Sequence, residues 1–104
     1  MKFKHNPRFE KDLKKIGRRG GAALLFSVVL EKFIPAAEAF VADPSRGWPP
    51  GLRVKGIVNT PGVFEFTWSM NNPDGRATFE WTSVDGQPAL RFRRVGDHSI
   101  FDAP

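Results

Sequence analysis

Three strand-like segments separated by short turns constrain the fold of this chain more than any other feature. Apolar and polar residues alternate in VFEFTWSM (63–70), RATFEWT (76–82) and ALRFRRV (89–95). Such alternation places every second side chain on the same face of a sheet. The intervening sequences NNPDG and VDGQP are typical of turns between antiparallel strands. We therefore expect a small antiparallel sheet with one aromatic face and one polar face.

The sequence before these segments predicts a short strand and then a helix. MKFKH (1–5) alternates as a strand does, and Asn6 followed by Pro7 is typical of a helix start. An amphipathic helix is expected next, because apolar residues recur at helical spacing. These residues are Phe9, Leu13 and Ile16.

A second helical pattern extends from about Ala22 to Ala42. Pro35 lies inside it, so we expect a kink or a break into two helices there. DPSRGWPPG (43–51) is rich in turn-forming residues, and LRVKGIV (52–58) predicts one more extended segment. The helical half of the chain therefore ends before the sheet begins.

Together these elements predict a single α+β domain over residues 1–104. A chain of this length has room for one core. We expect a short N-terminal strand and a helical hairpin that packs on the aromatic face of the antiparallel sheet. That face would carry Phe64, Phe66, Trp68, Phe79, Trp81 and Phe92.

The charge balance indicates an acidic or polyanionic partner. Sixteen lysines and arginines against eleven acidic residues give a formal charge of +5, which favours RNA, DNA or an acidic protein segment. An ordinary solvated basic surface is the alternative. Two histidines and no cysteine do not supply a dedicated metal site, so we expect neither a metal nor a cofactor. The longest apolar run (22–30) is too short to span a membrane, and we expect a soluble, cytoplasmic protein without a membrane partner.

The polar sheet face could support chemistry on a phosphodiester. Closing the hairpins at their turns predicts that Glu65 and Arg91 both lie opposite Glu80, and that Thr78 lies opposite Arg93. Arginines can hold a phosphate through two hydrogen bonds, and a carboxylate or histidine can move protons. The alternative is a set of ordinary cross-strand pairs facing water.

Several segments resemble the RelE/ParE superfamily of bacterial toxin–antitoxin toxins. GRATFEW (75–81) followed by LRFRRVGDHSIF (90–101) resembles a branch that ends in Arg-Arg-Ile/Val-Gly-x-His-x-Ile-Phe. FEKDLKKI (9–16) is similar to the first helix of the family. The resemblance implies a small endoribonuclease that cuts mRNA on the ribosome without a metal. In that reaction a ribose 2′-hydroxyl attacks the adjacent phosphate while basic residues stabilise the charge.

The resemblance also assigns candidate site residues. Arg76 falls at a position where family members carry a basic residue. His98 falls where they carry a basic residue or a histidine. Arg93 is added from the polar face, and Glu65 stands where some members have lysine, so it is a candidate base. We expect Gly96 to turn the chain sharply and bring His98 back over this face. The candidate RNA-binding residues are Arg91, Arg94, Lys11, Lys14, Lys15 and Arg18.

Two further expectations follow from the resemblance. The implied partners are mRNA on the ribosome and a cognate antitoxin with an acidic or amphipathic segment. The chain contains no tyrosine, although many such ribonucleases use one near the C-terminus. Either His98 carries the proton transfer or the activity differs. Inhibition of DNA gyrase, as in ParE-type relatives, and a non-toxic binding module remain the alternatives.

Overall fold

The computed structural model describes residues 1–18, 20–70 and 74–104. In these residues five strands form one mixed sheet with the order β1-β5-β4-β3-β2. The strands are β1 (Lys2–His5), β2 (Lys55–Gly56), β3 (Val63–Ser69), β4 (Gly75–Val84) and β5 (Gln87–Gly96). The predicted antiparallel meander β3-β4-β5 is confirmed. The sheet as a whole is mixed because β1 pairs with β5 in parallel.

The helices lie on one side of this sheet in chain order. They are α1 (Pro7–Arg18), α2 (Ala22–Val28) and α3 (Ile34–Ala42), with a π-helical segment (Val29–Phe33) between the last two. The predicted break near Pro35 is confirmed, and it takes the form of this wider turn. Proline lacks an N–H, and in a regular helix its ring would clash with the carbonyl group four residues earlier. A wider turn directly before it makes room for the ring. Short 3₁₀ turns follow at Pro44–Arg46, Pro50–Leu52 and His98–Asp102.

The core lies between the helices and the predicted aromatic face. Phe33, from the π-helical segment, is fully buried at its centre. Its ring stacks on Phe66 with centroids 4.0 Å apart and meets the edge of Phe79 at 5.2 Å. Phe66, Phe79 and Phe92 are buried, and Phe64, Trp68 and Trp81 pack partly buried against them. Among the described residues no helix is long and apolar enough to cross a membrane.

The predicted pairing of β3 with β4 is wrong by two residues. Glu65 lies opposite Thr78, not opposite Glu80. Ser69 pairs with Gly75, and the register shifts again between Thr67 and Ser69. Because side chains alternate with a period of two, a slip of two residues keeps each side chain on its predicted face. The two glutamates are therefore on the same face but are not direct neighbours across the strands.

The pairing of β4 with β5 is confirmed at one position and wrong at the other. Glu80 lies opposite Arg91 as predicted. Thr78 lies opposite Arg94 rather than Arg93, because a β-bulge between Thr78 and Phe79 leaves Arg93 as the extra residue. The bulge explains how two consecutive arginines can both reach the polar side of the sheet.

Candidate active site on the polar sheet face

The C-terminal segment (residues 98–104) lies across the polar face of β4 and β5. The hydroxyl of Thr78 donates a hydrogen bond to the carbonyl oxygen of Pro104 at 3.1 Å, and Nε of Arg93 donates to the same oxygen at 3.2 Å. Thr78 is consequently fully buried although it lies on the polar face. The face predicted to be open to solvent is therefore partly covered.

Gly96 permits this covering through its small size. A Cβ at Gly96 would lie 2.9 Å from Cγ2 of Ile100, which is 2% exposed. Gly96 does not have a positive φ, but the chain turns after it as expected, through a bend at Asp97 and the 3₁₀ turn His98–Asp102. A glycine is required here because the C-terminal segment approaches the strand closely.

Arg76 and Glu65 form a nearly buried ionic cluster. Each is 8% exposed, and Nε of Arg76 lies 3.8 Å from Oε1 of Glu65. Asp74 holds the other end of the guanidinium, with Nη2 to Oδ2 at 3.2 Å, while Lys55 lies 4.0 Å from Glu65. Nε of Arg76 has no hydrogen-bond partner among the described residues. The structure thus brings these two candidates together, but below the surface.

Arg91 and Arg93 share Glu80 and remain accessible. Nη1 of Arg91 lies 3.3 Å from one carboxylate oxygen of Glu80, and Nη1 of Arg93 lies 3.1 Å from the other. Their side chains are 37% and 31% exposed. Two guanidinium groups held side by side at the surface can receive a phosphate.

Arg94, a candidate RNA-binding residue, is instead held by Asp12. The carboxylate accepts from Nε of Arg94 at 2.7 Å and from Nη2 at 3.2 Å, and also from the N–H of Val95 at 3.1 Å. Asp12 is 7% exposed. Sequence reasoning missed Asp12, although one signal could have found it. The residue lies three positions after Phe9 and four before Ile16, inside the apolar stripe of α1.

His98 begins the C-terminal 3₁₀ turn and is exposed. Its ring meets Phe101 edge to face, with centroids 5.6 Å apart. Among the described residues the imidazole makes no hydrogen bond or ion pair, so it is free to contact a ligand. His98 follows Gly96, the register partner of Arg76, by two residues, but among the described residues it forms no hydrogen bond with the candidate arginines.

The basic residues of α1 form a separate exposed surface. Lys11, Lys14, Lys15 and Arg18 all face solvent. Lys15 also lines a cavity of ≈ 90 Å³ together with Arg94 and Ser99, which places it beside the C-terminal segment. Within the described ranges, no group of three or more His, Cys, Asp or Glu side chains could hold a metal ion. Among the candidate catalytic residues, His98 and Arg93 therefore remain accessible, whereas Arg76 and Glu65 are buried.

Comparison with known proteins gives the fold. No protein-family model and no curated protein sequence matches this chain. The crystal structure of YafQ from E. coli strain BL21(DE3) is similar with a TM-score of 0.61 and 15% identity, over 93% of this chain and 92% of that one. The YoeB/ParE toxin from Agrobacterium tumefaciens is similar with a TM-score of 0.54 and 11% identity, over 94% and 99%. The architecture implied by the sequence resemblance is thereby confirmed: this chain has the fold of YafQ and of the YoeB/ParE toxin.

Proposed function

We propose that this protein is the toxin of a type II toxin–antitoxin system and acts as a metal-independent endoribonuclease on ribosome-bound mRNA. The observation that carries the proposal is the free, exposed imidazole of His98, which follows a strand with two accessible arginines. The fold shared with the YoeB/ParE toxin supports the biological setting. The formal charge of +5 supports binding to RNA.

The proposed chemistry needs a phosphate-binding group and a proton-transfer group. The 2′-hydroxyl of a ribose attacks the adjacent phosphorus, the bond to the 5′ oxygen breaks, and a 2′,3′-cyclic phosphate and a 5′-hydroxyl result. Arg91 and Arg93 would hold the phosphate in place of their present partner, Glu80. His98 would accept the proton of the 2′-hydroxyl or donate one to the leaving oxygen, because an imidazole ring has nitrogen atoms that can accept or donate a proton.

Arg76 and Glu65 have a conditional place in this proposal. Both lie below the surface, so direct contact with RNA requires a movement of the residues that cover them. In its present position the charge of Arg76 is paired with Glu65 and Asp74, and its buried Nε has no hydrogen-bond partner among the described residues. Glu65 would act as a base only after such a movement.

The proposed protein partner is an antitoxin with an acidic or amphipathic segment that covers the basic surface. The exposed lysines and arginine of α1 and the pair Arg91 and Arg93 would supply complementary charge. Purification of the chain together with the product of the neighbouring gene tests this pairing directly. Recovery of the two proteins separately would count against it.

Induction of the chain in bacterial cells tests the ribonuclease proposal. We expect translated transcripts to be cut, with 5′-hydroxyl ends that map inside reading frames, and we expect His98→Ala to abolish these ends. His5→Ala is the matched control, since His5 lies on β1 and pairs with Glu10. Intact transcripts in growth-arrested cells would contradict the proposal.

The burial of Arg76 and Glu65 favours one second candidate, inhibition of DNA gyrase. That activity relies on binding a protein–DNA complex and needs no exposed acid–base set. The same induced cells distinguish the two functions. Accumulation of cleaved DNA with intact mRNA would support gyrase inhibition.

A further inference from the structure

Residues Ala103 and Pro104 place their carbonyl oxygens on hydrogen-bond donors of the polar sheet face. The carbonyl oxygen of Pro104 accepts from the hydroxyl of Thr78 at 3.1 Å and from Nε of Arg93 at 3.2 Å. The carbonyl oxygen of Ala103 accepts from Nη1 of Arg94 at 3.0 Å. Ala103 and Pro104 together are named the cover. Two neutral acceptors therefore occupy three donors, two of which carry positive charge.

The donors under the cover have the arrangement of an anion site. The hydroxyl of Thr78 and Nε of Arg93 converge on one oxygen atom, and Nη1 of Arg94 binds the carbonyl oxygen one residue away. Thr78 lies opposite Arg94 on the neighbouring strand, and the β-bulge adds Arg93. A phosphate carries several oxygen atoms on one centre, and its hydrogen bonds to a guanidinium are about twice as strong as those of a neutral acceptor. A phosphate can therefore replace the cover at these donors.

Both arginines are fixed by acidic side chains at their other nitrogen atoms. Asp12 accepts from Nε and Nη2 of Arg94, and Glu80 accepts from Nη1 of Arg93. The nitrogen atoms that bind the cover are thus held in place from the other side of each guanidinium. A side chain that is already fixed loses little conformational freedom when a ligand binds.

The cover can leave the sheet without loss of core packing. Neither Ala103 nor Pro104 belongs to the hydrophobic core that the described residues form, and Ala103 is exposed. The segment is anchored earlier, at Ile100, which is 2% exposed. His98 precedes this anchor in the chain. Release of the cover would therefore expose the hydroxyl of Thr78, now fully buried, and leave the candidate histidine attached.

We propose that Thr78, Arg93 and Arg94 form a phosphate-binding site for single-stranded RNA, which the cover occupies until RNA displaces it. The cover would then restrain the free protein, because the apparent affinity for a ligand falls with the fraction of molecules in the binding-competent state. Thr78 would be a further RNA-binding residue. The charge pattern of the sequence does not reveal it, because its hydroxyl is neutral.

This inference deepens the proposed ribonuclease function and rests on it. Arg93 belongs to both sites, since its Nη1 lies 3.1 Å from Glu80 beside Arg91 while its Nε binds the cover. One guanidinium thus connects the accessible arginine pair with the covered donors. A phosphate at the covered donors would therefore lie next to the position proposed for the cleaved phosphate, on the same RNA backbone.

The test compares the full chain with a chain shortened to residues 1–102, which lacks the cover. Both are titrated with a short single-stranded RNA whose 2′-O-methyl groups prevent cleavage, and fluorescence anisotropy follows binding at one salt concentration. We expect the dissociation constant of the shortened chain to be about 10- to 100-fold lower. One hydrogen bond shifts an equilibrium about 5-fold on average, and the cover accepts three, less the entropy of ordering two residues. An equal or weaker affinity of the shortened chain overturns the proposal.

Thr78→Val in the shortened chain tests whether the uncovered donors bind the RNA. We expect the dissociation constant to rise about 5-fold through loss of one hydrogen bond, whereas Thr67→Val should leave it unchanged. Thr67 is the matched control, because it is also buried on the polar face, at 4% exposed, and its hydroxyl has no hydrogen-bond partner among the described residues. Equal effects of the two substitutions would remove Thr78 from the site.

Ile100→Ala in the full chain loosens the cover by a second route and does not depend on the folding of the shortened chain. Loss of this anchor should lower the dissociation constant for the same RNA. Leu52→Ala is the control, since Leu52 is similarly buried, at 3% exposed, but lies in the 3₁₀ turn Pro50–Leu52. Equal dissociation constants for these two variants would contradict the proposal.

The two proposals fail in different ways. If the full chain cuts mRNA but the shortened chain binds RNA no more tightly, the inference about the cover is wrong and the ribonuclease proposal stands. If the shortened chain binds RNA more tightly but induced cells keep intact mRNA, the ribonuclease proposal is wrong. The covered donors would then serve RNA binding without cleavage.

Discussion

Removing the carboxylate of Asp12 should destabilise the protein far more than removing an exposed carboxylate from the same helix. Asp12 accepts two hydrogen bonds from Arg94 and one from the N–H of Val95. The side chains of Asp12 and Arg94 are 9% and 14% exposed, so water cannot readily replace either partner. Asp12→Ala would leave a guanidinium with little solvent contact and an unpaired backbone N–H.

The expected size follows from these contacts. Removing one partner of a buried ion pair costs about 3–5 kcal/mol, mainly because the other charge stays buried. Arg94 keeps one hydrogen bond, from Nη1 to the carbonyl oxygen of Ala103 at 3.0 Å, which favours the lower end of that range. Asp12→Asn should cost less, since its carbonyl oxygen can still accept from the N–H of Val95. Domains of this size have a free energy of unfolding of about 5–15 kcal/mol, so Asp12→Ala should remove a large share of that stability.

Urea unfolding of the purified variants measures this effect. At a slope of about 1–3 kcal/mol per molar urea, a loss of about 3 kcal/mol lowers the midpoint by roughly 1 M or more. Glu10→Ala is the control. Glu10 lies on the same helix as Asp12 and pairs with His5 at 2.7 Å, but its side chain is 61% exposed. Exposed pairs contribute about 0–1 kcal/mol. Equal midpoints for Asp12→Ala and Glu10→Ala would refute the assignment of Asp12 as the anchor of β5.

Four further outcomes are expected. Phe79→Ala should cost about 3–5 kcal/mol in urea unfolding, because Phe79 is fully buried between sheet and helices; a wild-type midpoint would contradict the core assignment. Gly75→Ala should lower the melting temperature, because the added methyl would overlap the indole ring of Trp68, whereas Gly17→Ala should raise it through higher helix propensity. His98→Ala should slow mRNA cleavage on programmed ribosomes about 10²–10⁴-fold while His5→Ala changes it little; equal rates would remove His98 from the mechanism. Antitoxin association, followed by stopped flow, should slow as salt is raised, since exposed charges are screened beyond about 10 Å at 0.1 M; rates independent of salt would contradict electrostatic steering.

The sequence was sufficient to predict the features that depend on local periodicity. The alternation in β3, β4 and β5 identified the aromatic face, and the spacing of Phe9, Leu13 and Ile16 identified α1. Pro35 marked the helix break because proline lacks the N–H that a helix interior needs, whatever residues pack around it. These signals depend on residues close in the chain, so no knowledge of distant partners was required.

The register of the sheet could not be predicted in the same way. A slip of two residues keeps every side chain on its face, so the pattern of apolar residues does not oppose it. The alternation of apolar and polar residues gives no information about the slip in the β3–β4 hairpin or about the bulge at Arg93. The predicted neighbours of Glu65 and Thr78 were wrong for this reason, although their faces were correct.

The candidate site depends on contacts between residues far apart in the chain, and these decide which arginines can bind a ligand. Asp12 and Arg94 are separated by 82 positions, and the carbonyl groups of the C-terminal segment take up further donors of the polar face. Asp12 and the carbonyl oxygen of Ala103 hold Arg94, while Glu65 and Asp74 hold Arg76, although the sequence presents both arginines as equal to Arg91 and Arg93. Strand β5, which carries Arg91, Arg93 and Arg94, thus has two roles. One arginine fastens the strand to α1, two others stay at the surface, and an exposed histidine follows the strand. The proposed RNA chemistry requires these last three side chains to act on one phosphate.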